Sequence, residues 1–323
     1  MKKIFLSISI FMCTLALALV SLCAGGYSAY ADSGLSGEAK SAYLVDYNTG
    51  TVLYERNSEE KLQIASMVKI VTLCITFENL ENGNLSYDEM ICISKEASGM
   101  GGSQMFLDTG KEYSVSDLIK GITVCSANDA SVALAERIAG SKEAFISLMN
   151  EKAAEMGMEN TVFVNVTGLP AEGQYSTAKD VTTMMQHLLS NKEYYNYSTI
   201  YMEDYVHPGG RITGLVNTNK LIKSYKGCDA GKTGFTNAAM FCISASAERN
   251  GMRVISTVVG SPSSQSRFKE VTSMFDYAFA VAKQVKLVDH NESIANEIVV
   301  KGGMQDNLDV VAKRDVFCLE VKG

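Results

Sequence analysis

The sequence predicts a mixed α/β fold of the α+β kind: one antiparallel sheet built from both ends of the folded region, helices covering it, and a helical region inserted between the two halves. Two hairpin signatures and the texture between them carry that prediction. The run "AYLVDYNTGTVLYERN" sets two β-rich stretches about Asn48-Thr49-Gly50, and "MFCISASAERNGMRVISTVVG" sets two more about Asn250-Gly251. Asn-Gly suits the two central positions of a tight hairpin, both of which need positive φ. From about residue 66 to residue 224, between the hairpins, helical patterns dominate.

In chain order, residues 1–31 read as an export signal. Lys2 and Lys3 precede an apolar stretch from Ile4 to Leu22, and Ala29-Tyr30-Ala31 has the A-x-A form of a cleavage site, so the mature chain is expected to start at Asp32. An uncleaved membrane anchor is the alternative, because the apolar stretch approaches bilayer-spanning length. Lipid attachment at Cys23 is disfavoured by the bulky Leu22 before it. Beyond the first hairpin, "SKEAFISLMNEKAAEMG" is a helix with Ser141 as N-cap and Gly157 as its glycine stop, and "STAKDVTTMMQHLLSN" is a helix opening on Ser176. After the second hairpin, "SRFKEVTSMFDYAFAVAK" reads as an amphipathic helix. From about Val285 the texture changes to short β-like runs with turn residues, which gives boundaries of 1–31, 32–284 and 285–323. There is no internal repeat and no low-complexity tract.

The formal net charge of −7, with no block of like charges, argues against nucleic acid as a partner and against a polybasic membrane-binding face. Six cysteines follow the leader (Cys74, Cys92, Cys125, Cys228, Cys242 and Cys318), none in C-x-x-C spacing, and His187, His207 and His290 are the only imidazoles. Zinc is therefore poorly supported, and neither a metal nor a cofactor is expected. Free buried thiols are the first reading; disulfides stay open for an exported protein, since spacing does not fix connectivity.

The stretch Ile64–Val71, "IASMVKIV", carries Ser66 and Lys69 three residues apart in an apolar, helix-like run. On a helix such positions are neighbours on one face, so a hydroxyl and an amine would lie side by side, nucleophile beside base. The pair alone is a weak signal, because S-x-x-K recurs at Ser58/Lys61, Ser176/Lys179 and Ser266/Lys269. Ser126-Ala127-Asn128 is the one S-x-N and Lys232-Thr233-Gly234 the one K-T-G in the chain, and the ordered set S-x-x-K, S-x-N, K-T-G is far more specific than any part.

With those motifs and with "SGMGGSQMFLDTG", "NDASVALAE", "TGLPAEGQYSTAKD", "LVNTNKLI" and "GKTGFT", the chain resembles the penicillin-binding serine acyl-transferases from about Ser41 to Lys283. It is most similar to the low-molecular-mass D-alanyl-D-alanine carboxypeptidases of Gram-positive bacteria, the sporulation-associated kind included. The resemblance implies a β-lactamase/transpeptidase-like fold, a five-stranded antiparallel sheet flanked by helices with the active site beside the helical region. It implies a serine carboxypeptidase of the bacterial cell wall, acting outside the cytoplasm on peptidoglycan stem pentapeptides that end in D-Ala-D-Ala, with β-lactams as covalent inhibitors. Carried over by position, Ser66 is the acylated nucleophile, Lys69 its base and Ser126 the proton relay. Asn128 holds the substrate peptide and the lysine. Lys232, Thr233 and Gly234 lie on an edge strand facing the terminal carboxylate, and Arg267 assists them. The N–H groups of Ser66 and Phe235 form the oxyanion hole. A lysine base must be neutral, and burial near a second cation, Lys232, would make it so.

The chain departs from the family's usual pattern at Ile64, where proline is common, at Met67 and Val68, where threonines are common, and at Ala127, where glycine is usual. The family also carries a C-terminal β-domain and a closing amphipathic helix; about the first half of that β-domain is readable here, so peripheral membrane contact stays open. Endopeptidase or transpeptidase action on cross-links would use the same residues. A class A β-lactamase needs an additional glutamate, and no E-x-x-L-N occurs. The intact motif set argues against an inactive wall-binding relative.

Overall fold

The computed structural model describes residues 35–299 and 307–321; the leader lies outside the described residues. Strand β1 (Ser41–Asp46) turns back into β2 (Val52–Arg56), with Gly50 at φ 69°. The buried Asp46 carboxylate closes that turn by accepting from the Thr49 N–H (2.8 Å) and the Thr49 hydroxyl (2.7 Å). Far along the chain β8 (Met240–Arg249) and β9 (Met252–Ser261) pair across Asn250 and Gly251, at φ 52° and 78°, the left-handed pair the Asn-Gly signal predicts. Strand β7 (Cys228–Thr236) completes a five-stranded antiparallel sheet of order β2-β1-β9-β8-β7. The first strand of the described chain thus sits beside the ninth, and β7 is left at an edge.

The sheet is covered on both faces, which is why β1 is buried throughout instead of alternating. On one face helix α6 (Ser264–Val281) packs Val271, Met274 and Phe275 against Leu44, Ile243, Val254 and Val258. The other core gathers Val45, Ile255 and Val259 with helices α1 (Lys69–Glu81) and α5 (Ala178–Ser190). Helices α2 (Val115–Val124), α3 (Asn128–Ala139) and α4 (Lys142–Glu155) extend that core and form the inserted helical region.

Ser141 caps α4 by accepting from Ala144 N–H (3.1 Å), and Gly157 supplies the left-handed stop at φ 71°, one residue past the C-cap. Helix α5 opens one residue later than the sequence suggests, on Thr177. Ser176 cannot cap because its backbone is still extended, exchanging two hydrogen bonds with Leu62, and its hydroxyl is bonded to Thr161; Thr177 Oγ1 accepts from Asp180 N–H instead (3.0 Å). The helical middle also contains two short antiparallel pairs not read from the sequence, β3 (Met90–Cys92) with β4 (Glu112–Ser114) and the hairpin of β5 (Met202–Val206) with β6 (Ile212–Val216).

Beyond α6 the chain runs directly into β10 (Ala282–Val288), which pairs with β13 (Val316–Val321), while β11 (Ser293–Val299) pairs with β12 (Asn307–Val311). The cysteines from Cys74 to Cys318 are free thiols; Cys74, Cys228 and Cys242 are buried as expected, whereas Cys92 is exposed and Cys125 and Cys318 are half-buried.

Candidate active site

A 3-10 turn, Ala65–Val68, leads into α1 and carries the candidate nucleophile. Ala65 stands at φ 49°, a left-handed conformation rare for a residue with a Cβ, and is almost fully buried. Ser66 Oγ accepts from Lys69 Nζ at 3.1 Å, the one-turn adjacency the S-x-x-K spacing predicts. Lys69 is wholly buried at the start of α1, and its second partner is the carbonyl of Thr167 (2.6 Å). Burial, and next the charge of Lys232, hold its amine well below the usual lysine range. A neutral amine beside a hydroxyl can accept its proton.

A second hydroxyl–amine pair faces the same region. Ser126 lies in the connection from α2 to α3 at φ 64°, and its Oγ accepts from Lys232 Nζ at 2.7 Å. Lys232, on the edge strand β7, is buried and donates its other bond to Thr233 O (3.1 Å). Burial brings its pKa down to about 7. Gly234 ties this strand to the nucleophile turn, because a Cβ there would stand 2.6 Å from Ile64 O and 3.1 Å from Ser66 N. The three motifs, distant in sequence, therefore meet in one cleft between the edge of the sheet and the helical region.

Residues 28–263 match the family model of the D-alanyl-D-alanine carboxypeptidases, peptidase family S11. The chain belongs to that family. It is 42% identical over 292 residues to D-alanyl-D-alanine carboxypeptidase DacF of Bacillus subtilis, covering 90% of this chain and 75% of the relative. It is 33% identical over 292 residues to D-alanyl-D-alanine carboxypeptidase DacA of Escherichia coli, covering 88% and 72%. Among solved structures, penicillin binding protein 5 from Haemophilus influenzae superposes with a TM-score of 0.79 at 31% identity, covering 89% of this chain and 84% of that one. These likenesses bear out the β-lactamase/transpeptidase-like fold.

Within this carboxypeptidase fold the site residues make contacts that their motifs do not announce. Gly234, placed by the motif on the edge strand, is needed first to let β7 lie against the nucleophile turn. Asn128 was expected to hold the lysine, but its Nδ2 donates to Gly101 O (2.6 Å) and its buried Oδ1 has no partner among the described residues. The carbonyl of Thr167 takes that place on Lys69. Arg267 is buried: its Nη1 donates to the carbonyls of Gly234 and Cys242 (3.1 Å each), bracing β7 and β8 where the K-T-G segment ends. Phe235 is exposed, its ring centroid 4.3 Å from that of Phe241.

The segment that presents Thr167 opens the run "TGLPAEGQYSTAKD", but its part in holding Lys69 is not readable from the residues. Asn165 Oδ1 accepts from the N–H groups of Thr167 (3.1 Å) and Gly168 (2.7 Å), an Asx-type turn, and Gly168 stands at φ 79° where a Cβ would lie 2.0 Å from Ala65 O. The run Asn165-Val166-Thr167-Gly168 is a readable turn signal within "TGLPAEGQYSTAKD" and its approach, but a carbonyl that will hold a lysine has no side-chain signature.

Proposed function

We propose that this protein is a serine-type D-alanyl-D-alanine carboxypeptidase that removes the terminal D-alanine of peptidoglycan stem pentapeptides through an acyl-enzyme on Ser66. Neutral Lys69 takes the Ser66 proton as Oγ attacks the carbonyl of the penultimate D-alanine. The N–H groups of Ser66 and Phe235 hold the resulting oxyanion. As the tetrahedral species collapses, the C–N bond breaks and the proton passes by way of Ser126 to the leaving amine. Water, deprotonated by Lys69, then adds to the ester carbonyl, and Ser66 leaves with the proton. Lys232 and Thr233 receive the terminal carboxylate, with Arg267 adding positive charge from behind, and Asn128 takes the peptide arm on the acyl side. A β-lactam would acylate Ser66 by the same attack.

The observation that carries this reading is the buried Lys69 amine, depressed in pKa, 3.1 Å from Ser66 Oγ in a chain whose motifs contain no histidine. The relatives' names supply the substrate class. The leader reading places the reaction outside the cytoplasm, at the cell wall; no helix among the described residues is long and apolar enough to cross a membrane. Residues 32–284 form the peptidase domain in this proposal, and 285–323 a partial β-rich domain.

The test is to incubate the purified protein with a stem pentapeptide and with a penicillin, and to weigh products and protein. Release of a single D-alanine, and a penicillin adduct on Ser66 that Ser66→Ala abolishes, support the proposal. Cleavage or formation of cross-links without D-alanine release would replace it with endopeptidase or transpeptidase action.

A further inference from the structure

Residues 101–107 run directly over the S-x-N segment. Gly101 O accepts from Asn128 Nδ2, and Ser103 O accepts from Asn128 N–H (2.7 Å). Further along, the buried carboxylate of Asp129 accepts from the N–H of Met105 (3.2 Å, Oδ1) and of Leu107 (3.0 Å, Oδ2), the two amides on either side of Phe106. The side chains of Met105 and Leu107 are buried, and Arg211, reaching from the β5–β6 hairpin, donates to Phe106 O and pairs with Asp108 (2.9 Å). Phe106 is thus clamped at both flanking amides and at its own carbonyl.

What the clamp holds is a bulky residue in a conformation that suits glycine. Phe106 stands at φ 65°, and the residue is 55% exposed. Left-handed backbone in a residue with a Cβ is unfavourable and persists only where the surroundings impose it, characteristically at functional sites. The same segment uses glycine freely, at Gly99, Gly101 and Gly102, so a glycine at the next left-handed position would have been the unstrained solution. Packing does not account for phenylalanine there, since more than half of the residue's surface is exposed.

The attachment of its segment to Asn128 and Asp129 points to what the ring meets. In the proposed reaction the leaving D-alanine lies toward Lys232 and Thr233 on β7, so the acyl arm crosses to the S-x-N side. There the buried Asn128 Oδ1, without a partner, offers an acceptor to an amide N–H of that arm. An arm that passes Asn128 next meets the segment Asn128 itself secures, the one that carries Phe106. We infer that Phe106 is a specificity-determining contact of the carboxypeptidase, an apolar platform for the aliphatic stem of the residue preceding D-Ala-D-Ala, held in strain by Asp129 and Arg211 so that the ring faces ligand and not core. This rests on the carboxypeptidase reading.

The test compares two substrates, acetyl-D-Ala-D-Ala and a pentapeptide with lysine before D-Ala-D-Ala, in the parent, Phe106→Gly and Phe106→Tyr, alongside thermal melts of each. Apolar contact by one ring predicts that Phe106→Gly lowers the pentapeptide-to-short-peptide ratio of kcat/KM by about five- to tenfold, and that Phe106→Tyr restores most of it. Because glycine relieves the strain, the thermal midpoint of Phe106→Gly should stay level or rise. An unaltered ratio, or an equal loss on both peptides accompanied by a fall in midpoint, overturns the inference and leaves Phe106 a loop-packing residue. A parent that releases D-alanine from neither peptide overturns the carboxypeptidase reading and this inference with it, whereas an active parent with an unaltered ratio in the variants overturns this inference alone.

Discussion

The central strand β9 and the late strand β13 are both antiparallel and of ordinary length, yet they live in different surroundings. β9 is buried along nearly its whole course between α6 and the cluster that includes α1 and α5, whereas β13 is half-exposed and pairs only with β10. The β10–β13 pair meets the rest through few groups: Ala282 is buried and Leu319 partly buried against the α6 cluster, and Gln284 bonds Asn48 (2.8 Å) and Asp46. Hydrogen-bonded pairing alone therefore does not fix a strand; covering both faces does. Every motif residue of the cleft hangs from the covered part, on the 3-10 turn and α1 that follows it, on the α2–α3 connection and the start of α3, on β7 or on α6. Changes in the two parts should accordingly differ in kind.

The largest effects belong to the two residues at the nucleophile turn. Ser66→Ala should abolish labelling by a fluorescent penicillin, and Lys69→Arg should slow acylation by about three orders of magnitude or more, since arginine keeps a positive charge but cannot release its proton. Both variants should melt near the parent. Near-normal acylation by a folded Lys69→Arg would reduce Lys69 to an electrostatic role and erase its distinction from the other buried cations.

Next comes the packing of backbone on that turn. Gly168→Ala combines a left-handed φ with a Cβ aimed at the Ala65 carbonyl, backbone that cannot swing aside, so a destabilisation of about 2–4 kcal/mol is expected. It should also slow acylation, because Ala65 and Thr167 move with it. A thermal melt and a labelling time course check this; loss of neither would mean that the turn is looser than its contacts imply.

The two lysines make a pH prediction. The proposed mechanism requires Lys69 neutral and Lys232 charged, so kcat/KM, which reports the free enzyme, should rise with pH as Lys69 loses its proton and fall above about 7 as Lys232 loses its own. Lys232→Arg, which keeps its charge, should carry the falling limb to higher pH. Stability runs the other way on the alkaline side. The lowered folded pKa of Lys232 means that between about 7 and 10.5 the unfolded chain binds a proton the folded chain does not, so burial of this amine becomes less costly as pH rises through that window. An acidic shift of the falling limb in Lys232→Arg would detach that limb from Lys232.

The contrast also explains what was legible in the sequence. The hairpin at Asn250-Gly251 and the caps at Ser141 and Gly157 announce themselves through side chains that suit one backbone conformation. Ser176 and Thr177 could each cap α5, and the choice is made by the bridge to Leu62, a tertiary fact. The β5–β6 hairpin escaped notice because its larger apolar residues, Met202, Val206, Ile212 and Val216, point to solvent while Tyr205 and Leu215 point inward, so no single apolar face stands out. At the site, the motif residues were legible as residue types. The Thr167 carbonyl and the Asp129 clamp were not, since one is backbone and the other lies beside a motif without belonging to it.

The smallest effect should come from the late strands. Leu319→Ala removes a partly buried side chain from an apolar contact that β13 makes with the α6 cluster, leaving Gln284 and its bonds to Asn48 and Asp46 in place. Partial burial puts the loss at about 1 kcal/mol, below the cost at a fully buried leucine, which in a chain of this size lowers the thermal midpoint by about 2–4 °C. The cluster that Leu319 packs against contains none of the motif residues among the described residues, so D-alanine release and penicillin labelling should stay within about twofold of the parent. Ending the chain after Gln284 extends the same test: activity should persist if residues 32–284 are a self-sufficient peptidase domain. A loss of activity beyond tenfold in Leu319→Ala, or failure of the shortened chain to fold, would join β10–β13 to the catalytic unit and move the proposed boundary. A large loss in Leu319→Ala, which keeps the bonds of Gln284, would also mean that apolar cover governs how the late strands bear on the sheet.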